Sequence, residues 1–271
     1  MKAMIFAAGL GTRLRPITDT IPKALVSVGG VPMLERVILK IKDAGIEDFV
    51  VNTHYLASQI ADFLAAKDFG VRISVSEEKT CALETGGGIR HAAPLLAGCG
   101  RFLVHNADIL SNIDLPSLIA LDRPEDLATL VLREGESDRY LLFDDKMRLV
   151  GWTNVRTGEV KSPYPDFDPA NYRRYAFCGV HILSEQVLAM MESWPEKFSI
   201  IDFYLAIAQT QSIRGVVAEN LQLIDIGSPE TLAEANADYE ARLSLKSFFG
   251  RPVTTTMAST MATAADSETK P

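Results

Sequence analysis

At 271 residues, with 47% apolar and 23% charged side chains, the sequence has the composition of one sizeable globular unit and not of a disordered or collagen-like chain. A net charge of −8 argues against a nucleic-acid groove, which needs a clustered basic surface, and leaves room only for a local basic pocket that takes a small anion. No apolar run reaches the roughly 18 residues of a membrane span, and the opening MKAMIFAAGLGTRLRP gives way after about seven apolar residues to glycines and arginines, unlike a signal peptide.

In chain order, residues 2–8 (KAMIFAA) read as a short buried strand that ends at glycine. Residues 32–44 place Leu34, Val37, Ile38 and Ile41 at helical spacing, with Gly45 as the stop. A strand at 49–52, an amphipathic helix at 56–66, a strand at 71–76, a glycine loop at 85–88 leading into a helical pattern at 89–96, and a strand at 101–105 follow. Strands separated by helices imply right-handed crossovers, and hence a mainly parallel sheet covered on both faces.

Beyond Asp108 the pattern changes. Strands are expected at 128–133, 140–143, 149–152 and 176–183, and the polar, proline-bearing stretch 156–174 is expected to run as a long excursion over the surface. Residues 199–209 are predicted helical with Ser199 as cap, 213–218 and 222–226 as strands, and 229–244 as a closing helix with Ser228 at its N-cap and Pro229 in its first turn. The expected fold class is a three-layer α/β/α arrangement with a mixed, mainly parallel sheet and a small strand-rich lobe within about 110–220. The expected organisation is a single domain over 1–250, with a first α/β part at about 1–109 and its closing strand and helix at 221–250. Residues 251–271, rich in Thr, Ser and Ala without an apolar period, are expected to be a disordered tail.

The informative stretch is AAGLGTRLRPITDTIPKAL, residues 7–25. Gly9 and Gly11 follow the first strand, where the absence of a Cβ lets backbone N–H groups approach a ligand, and successive amides in such a turn make a concave anion site. Arg13 supplies a fork for bidentate oxygen recognition and Lys23 a point charge, the pair of cations that a triphosphate needs. A dinucleotide fingerprint fails because Leu14 stands where its third glycine belongs, and a Walker A loop fails for want of a Lys-Ser/Thr after the second glycine. The ordered succession Arg13, Arg15, Pro16, Pro22, Lys23 argues against a plain solvent-facing glycine turn. The three cysteines, Cys81, Cys99 and Cys178, are odd in number and lack C-x-x-C spacing, which speaks against a disulfide framework or a zinc cluster and for a reducing, cytoplasmic setting. The four histidines share no metal-ligand spacing, and His105 reads as a packed strand residue.

These residues resemble the signature of the nucleoside-triphosphate sugar-1-phosphate nucleotidyltransferases, G-x-G-T-R-[ML]-x-P followed by P-K. The resemblance extends in family order through LETGGGI (83–89), HNAD (105–108) and LIDIGSPETLAEAN (223–236). Within that family the pattern is similar to the small N-acetylmuramate 1-phosphate uridylyltransferase-like members, with mannose-1-phosphate guanylyltransferases as neighbours.

The resemblance implies a Rossmann-like nucleotidyltransferase fold and transfer of a nucleotidyl group from an NTP to a sugar 1-phosphate. It implies that Ala8, Gly9, Gly11, Thr12, Arg13 and Lys23 hold the triphosphate, with Arg13 and Lys23 catalytic. Glu77 and Gly86, Gly87 and Gly88 are implied at the base and ribose. Asp108 and Asp225 are implied to share one Mg²⁺, an ion that takes one or two carboxylates plus phosphate and water oxygens. No general base is required, because a phosphate monoester with a second pKa of about 6 is mostly ionised at neutral pH.

On the sugar side the family's Glu-Lys-Pro element is broken to Val160-Lys161-Ser162-Pro163, a departure that leaves the sugar open. The resemblance offers Lys161, with a solvated surface lysine as the alternative reading, and Glu84 and Asn154 at the sugar-contacting positions. The expected partners are an NTP and a sugar 1-phosphate, with neither nucleic acid nor membrane. A cytidylyltransferase acting on a phosphorylated alcohol and a non-catalytic nucleotide-sugar-binding regulator are the alternatives. The sugar, the base and the oligomeric state are left open.

Overall fold

The computed structural model describes residues 1–243. The expected tail at 251–271 and the last part of the closing helix lie outside the described residues.

Four parallel strands make the centre of the sheet in the order β5-β4-β1-β6: β1 (Lys2–Phe6), β4 (Asp48–Thr53), β5 (Arg72–Glu77) and β6 (Arg101–Asn106). Between β1 and β4 lie a small hairpin, β2 (Ser27–Val28) with β3 (Val31–Pro32), and helix α1 (Met33–Asp43). Helix α2 (Ala57–Ala66) joins β4 to β5, and α3 (Glu84–His91) with α4 (Ala93–Leu96) joins β5 to β6. After β6 come β7 (Ile109–Ser111) and α5 (Leu115–Leu121).

The remaining strands are β8 (Ala128–Arg133), β9 (Arg139–Phe143), β10 (Leu149–Asn154), β11 (Glu159–Lys161) and the long β12 (Arg173–Ser184). Helices α6 (Gln186–Met191) and α7 (Ile200–Ile207), strands β13 (Ile213–Val217) and β14 (Leu223–Asp225), and α8 (Pro229–Leu243) complete the described chain. Strand β12 runs antiparallel to β6, β8 and β9, so the later strands extend the parallel half into one ten-stranded mixed sheet.

The period-two alternation of the strands distributes the core over both faces. Met4, Val50, Phe102 and Val104 pack with residues of α3, α4, α6 and α7, and Ala3, Ile5, Val51 and Leu103 pack with residues of α1 and α5. The stripe Leu34, Val37, Ile38 and Ile41 is buried as its spacing predicts. A third, smaller cluster joins Leu14, Val26, Val28, Leu110, Ile226 and Ala235. It fastens the loop after β1 to β7, β14 and α8. Leu14 and Ile226 are fully buried there, a gain of about 1.5–3 kcal/mol each. Among the described residues no helix is long and apolar enough to cross a membrane, and the three cysteines are free.

Two expectations need correction, and one helix was missed. Gly86, Gly87 and Gly88 lie inside α3 and not in a loop ahead of it. Glycine is a poor helix former, but here tertiary contacts decide: the N–H groups of Gly86 and Gly87 donate to the Phe198 carbonyl at 2.9 and 3.1 Å. The stretch 156–174 is not wholly an excursion, because β11 pairs with β10 and β12 begins at Arg173. The Asn154 side chain makes that hairpin: its Oδ1 accepts from the N–H groups of Arg156 and Thr157 at 3.0 and 3.3 Å. Helix α5 was not anticipated, although Asp114 caps it by accepting from Ser117 N–H at 3.1 Å and Pro116 follows in the first turn.

Candidate active site

Strand β1 delivers the chain to residues 7–25 at the carboxyl end of the parallel strands, where open α/β sheets place their ligands. The segment is folded by short-range bonds into single 3₁₀ turns at Thr12–Leu14, Ile17–Asp19 and Lys23–Leu25. Gly11 sits at φ +64°, and its carbonyl accepts from the Thr18 hydroxyl at 2.7 Å and from Leu14 N–H at 2.9 Å. A Cβ on Gly11 would lie 2.8 Å from Thr18 Cγ2, so both conformation and space demand glycine. Gly9 is different: nothing lies within 4 Å of where its Cβ would be, so the chain around it faces open space. Ala8 is buried, and Thr12 and Arg13 are exposed beside it.

The two acidic residues meet through backbone pairing. Strand β14 runs antiparallel to β7 with Asp225 opposite Ile109, and Ile226 N–H donates to the Asp108 carbonyl at 2.9 Å. Lys23 Nζ forms an ion pair with Asp108 and lies 3.7 Å from Asp225 Oδ1. The Lys23 side chain is 13% exposed, that of Asp108 22% and that of Asp225 49%. The Arg13 guanidinium packs against Gly227, where an added Cβ would lie 2.8 Å from its Nη2 and 3.1 Å from Asp225 Oδ1.

Burial, reinforced by the neighbouring Asp108 charge, pushes the Asp225 carboxyl above its ordinary range, against the opposing pull of Lys23 and Arg13. Arg13, Lys23, Asp108 and Asp225, named from sequence, thus share one place.

Two carboxylates converging on one ammonium form a donor set that suits an oxygen-seeking divalent cation completed by phosphate and water oxygens. No group of three or more His, Cys, Asp or Glu residues that could hold a metal by itself occurs among the described residues.

The other expected residues are distributed differently. Glu77 is exposed at the end of β5, while the next residue, Glu78, is 2% exposed and organised. Glu78 Oε1 accepts from Asn52 Nδ2 at 2.7 Å, its Oε2 accepts from Leu83 N–H at 2.8 Å, and Asn52 Oδ1 accepts from Ala7 N–H at 2.8 Å.

The three glycines of α3 are explained by internal packing. An added Cβ would fall 2.3 Å from the Phe198 ring at Gly86, 2.3 Å from the Glu196 carbonyl oxygen at Gly87, and 2.9 Å from Asn52 Nδ2 at Gly88. Glu84, at the head of α3, is held at φ +64° and lies 3.9 Å from Lys197 Nζ. Lys161 Nζ lies 3.1 Å from Asp202 Oδ1 and 5.3 Å from the centre of the Trp152 ring. The hydrogen bond to Asp202 raises the Lys161 ammonium further above its ordinary range, so it stays charged.

The starts of α3 and α7 are knotted together, since Phe198 N–H donates to the Leu83 carbonyl at 3.2 Å and Ile200 N–H to Thr85 Oγ1 at 2.9 Å. Glu84, Lys197, Asp202 and Lys161 therefore belong to adjoining elements. Lys197 and Asp202 were not anticipated, because neither stands in a recognisable motif.

His105 and His181 are fully buried strand residues, each held neutral by burial at a pKa of about 3. His181 Nδ1 is hydrogen-bonded to the Tyr204 hydroxyl at 2.7 Å.

A family model described as Nucleotidyl transferase matches residues 2–141. Among curated relatives, the N-acetylmuramate alpha-1-phosphate uridylyltransferase of Caulobacter vibrioides is 31% identical over 251 residues, covering 87% of this chain and 95% of that one. The enzyme of the same name from Neisseria meningitidis serogroup B is 48% identical over 157 residues, 55% of this chain and 68% of that one. Among solved structures, a putative glucose-1-phosphate thymidylyltransferase from Bacillus anthracis matches with a TM-score of 0.74 over 93% of this chain and 98% of that one. At 20% identity that likeness is one of fold.

Proposed function

The chain belongs to the nucleotidyl transferase family, and we propose that it transfers a nucleotidyl group from an NTP to a sugar 1-phosphate, forming a nucleoside-diphosphate sugar and pyrophosphate. The observation that carries the reading is the meeting of Arg13, Lys23, Asp108 and Asp225 beside the glycine loop at the carboxyl end of the parallel strands. Because the two relatives bear the name N-acetylmuramate alpha-1-phosphate uridylyltransferase, UTP and N-acetylmuramate α-1-phosphate are the proposed substrate pair.

The chemistry is electrostatic. The sugar phosphate, ionised above its second pKa of about 6, attacks the α-phosphorus without needing a protein base. What the protein must supply is compensation for two approaching anions and for the charge that grows on the leaving pyrophosphate. In the proposed arrangement the segment Ala8, Gly9, Gly11 and Thr12 cradles the triphosphate with backbone amides, and Arg13 and Lys23 neutralise its oxygens. Asp108 and Asp225 would hold Mg²⁺, which supplies further charge neutralisation on the phosphates when bound.

Glu77 is the proposed contact for the base edge. Glu84 and Lys161, on the adjoining α3, α7 and β11 elements, are the proposed sugar-side residues. Asn154 completes the proposed set through its amide nitrogen, since its acceptor oxygen is held by two hairpin amides.

Pyrophosphate release measured across the four NTPs and a panel of sugar phosphates, N-acetylmuramate α-1-phosphate included, tests the reading. Turnover confined to phosphorylated alcohols would reassign the protein to the cytidylyltransferases. Tight nucleotide binding with no pyrophosphate from any acceptor would make it a binding protein.

A further inference from the structure

Two buried side chains that the reaction scheme leaves unused connect the proposed triphosphate loop to α3. From Ala7, the first residue after β1, an N–H donates to Asn52 Oδ1; Asn52 Nδ2 then donates to Glu78 Oε1, and Leu83 N–H donates to Glu78 Oε2. The three bonds measure 2.8, 2.7 and 2.8 Å, and Asn52 and Glu78 are each 2% exposed. Gly88 leaves the space for them, since a Cβ there would lie 2.9 Å from Asn52 Nδ2 and 3.0 Å from Glu78 Oε1. The chain of bonds therefore spans from the glycine loop to the residue preceding Glu84.

The polarity of this chain is fixed at both ends by main-chain donors. Ala7 N–H and Leu83 N–H both point inward, so the side chains between them must present an acceptor at each end and exactly one donor in the middle. Asn followed by Glu satisfies that count. Asn followed by Gln does not: whichever way either amide is turned, one junction sets donor against donor. The reversed pair, Asp followed by Gln, satisfies it again.

We propose that Asn52 and Glu78 are a positioning pair that sets the spacing between the triphosphate loop and α3, and so fixes where the nucleotide lies. The proposal rests on the nucleotidyl transfer reading of the site. It requires the arrangement of donors and acceptors and not the identity of either residue.

The test is a double-mutant cycle on the full chain with Glu78→Gln, Asn52→Asp and the combined variant. An unmade buried hydrogen bond is worth enough for each single substitution to raise the NTP KM, and the NTP Kd by calorimetry, by about tenfold or more. The KM for the sugar phosphate is expected to stay within about twofold, and the combined variant to return the NTP constants to within about threefold of the parent. Thermal melts accompany each variant.

A loss of melting temperature with unchanged NTP constants would make the pair merely structural and overturn the proposal. So would a combined variant no better than the worse single one. If the parent binds NTP but turns over no acceptor, the nucleotidyl transfer reading fails while calorimetry still reports on the pair. If the parent binds no NTP, both fall together.

Discussion

Asp108 and Asp225 are joined through the main chain before their side chains meet: the residue after Asp225 donates its N–H to the Asp108 carbonyl at 2.9 Å. The two carboxylates are thus held close by strand pairing, and the Asp225 carboxyl is pushed above its ordinary range by burial and by Asp108. A raised carboxyl favours the protonated form in the folded state, so at neutral pH the ionised Asp225 weakens the fold in the absence of a metal. Asp225→Asn is expected to melt no lower than the parent without metal, and any gain should shrink as the pH falls through the Asp225 titration. Mg²⁺ with NTP at 100 times its Kd should stabilise the parent by about 2.7 kcal/mol and the variant far less, as thermal shift measures.

Arg13→Ala and Lys23→Ala are each expected to lower kcat by about 10²–10³, corresponding to about 2.7–4 kcal/mol of lost charge stabilisation. Circular dichroism should show the fold intact. Lys23→Ala also leaves Asp108 and Asp225 facing each other without their ammonium, so its melting temperature should depend on Mg²⁺ more steeply than that of the parent. Near-normal turnover in both variants would remove the loop from the triphosphate site.

The glycines separate into two kinds. Gly86→Ala and Gly87→Ala insert a Cβ 2.3 Å from Phe198 and from the Glu196 carbonyl oxygen, and should destabilise the protein by about 1–3 kcal/mol. Gly9→Ala meets no atom within 4 Å and should leave the melting temperature unchanged while weakening NTP binding. Denaturant melts set beside nucleotide titrations distinguish the two outcomes.

Glu84 at φ +64° carries a left-handed conformation that costs a non-glycine residue about 1–2 kcal/mol. Glu84→Gly should recover about 1 kcal/mol of stability in a denaturant melt. If the carboxylate contacts the sugar phosphate's sugar, the same variant should show a raised KM for that substrate alone.

His105 and His181 have pKa values of about 3 in the fold, below the ordinary value of about 6.5 expected of the unfolded chain. As the pH falls below about 6.5 the unfolded chain takes up protons that the folded one refuses, so the stability contributed by the neutral rings is complete above that pH and is lost below it. Each ring should contribute a slope of up to about 1.4 kcal/mol per pH unit between pH 6 and 4. Denaturant melts across that range read the slope, and replacing the His181–Tyr204 pair by Leu and Phe should reduce it.

The central strands and α1 were legible because their apolar residues repeat at the period of the element, and Arg13, Lys23, Asp108 and Asp225 because they stand in motifs. Glu78 was obscured by Glu77. Strand alternation puts residue 78 inside along with Ser76, which is 5% exposed, but an acidic residue is ordinarily expected outside. The glycines of α3 were placed in a loop because the contacts that demand them are distant, Phe198 for Gly86 and Glu196 for Gly87, more than a hundred residues on, and Asn52 for Gly88, where no local pattern points. The hairpin role of Asn154 was not legible because its backbone partners become visible only once β10 and β11 are paired.

The antiparallel pairing of β7 with β14 also orders events during synthesis. A ribosome delivers the glycine loop first and Asp108 midway, yet Asp225 arrives only after 224 preceding residues. Because the cluster that fastens the loop after β1 includes Ile226 and Ala235, a chain that ends before β14 lacks both Asp225 and the packing that holds that loop.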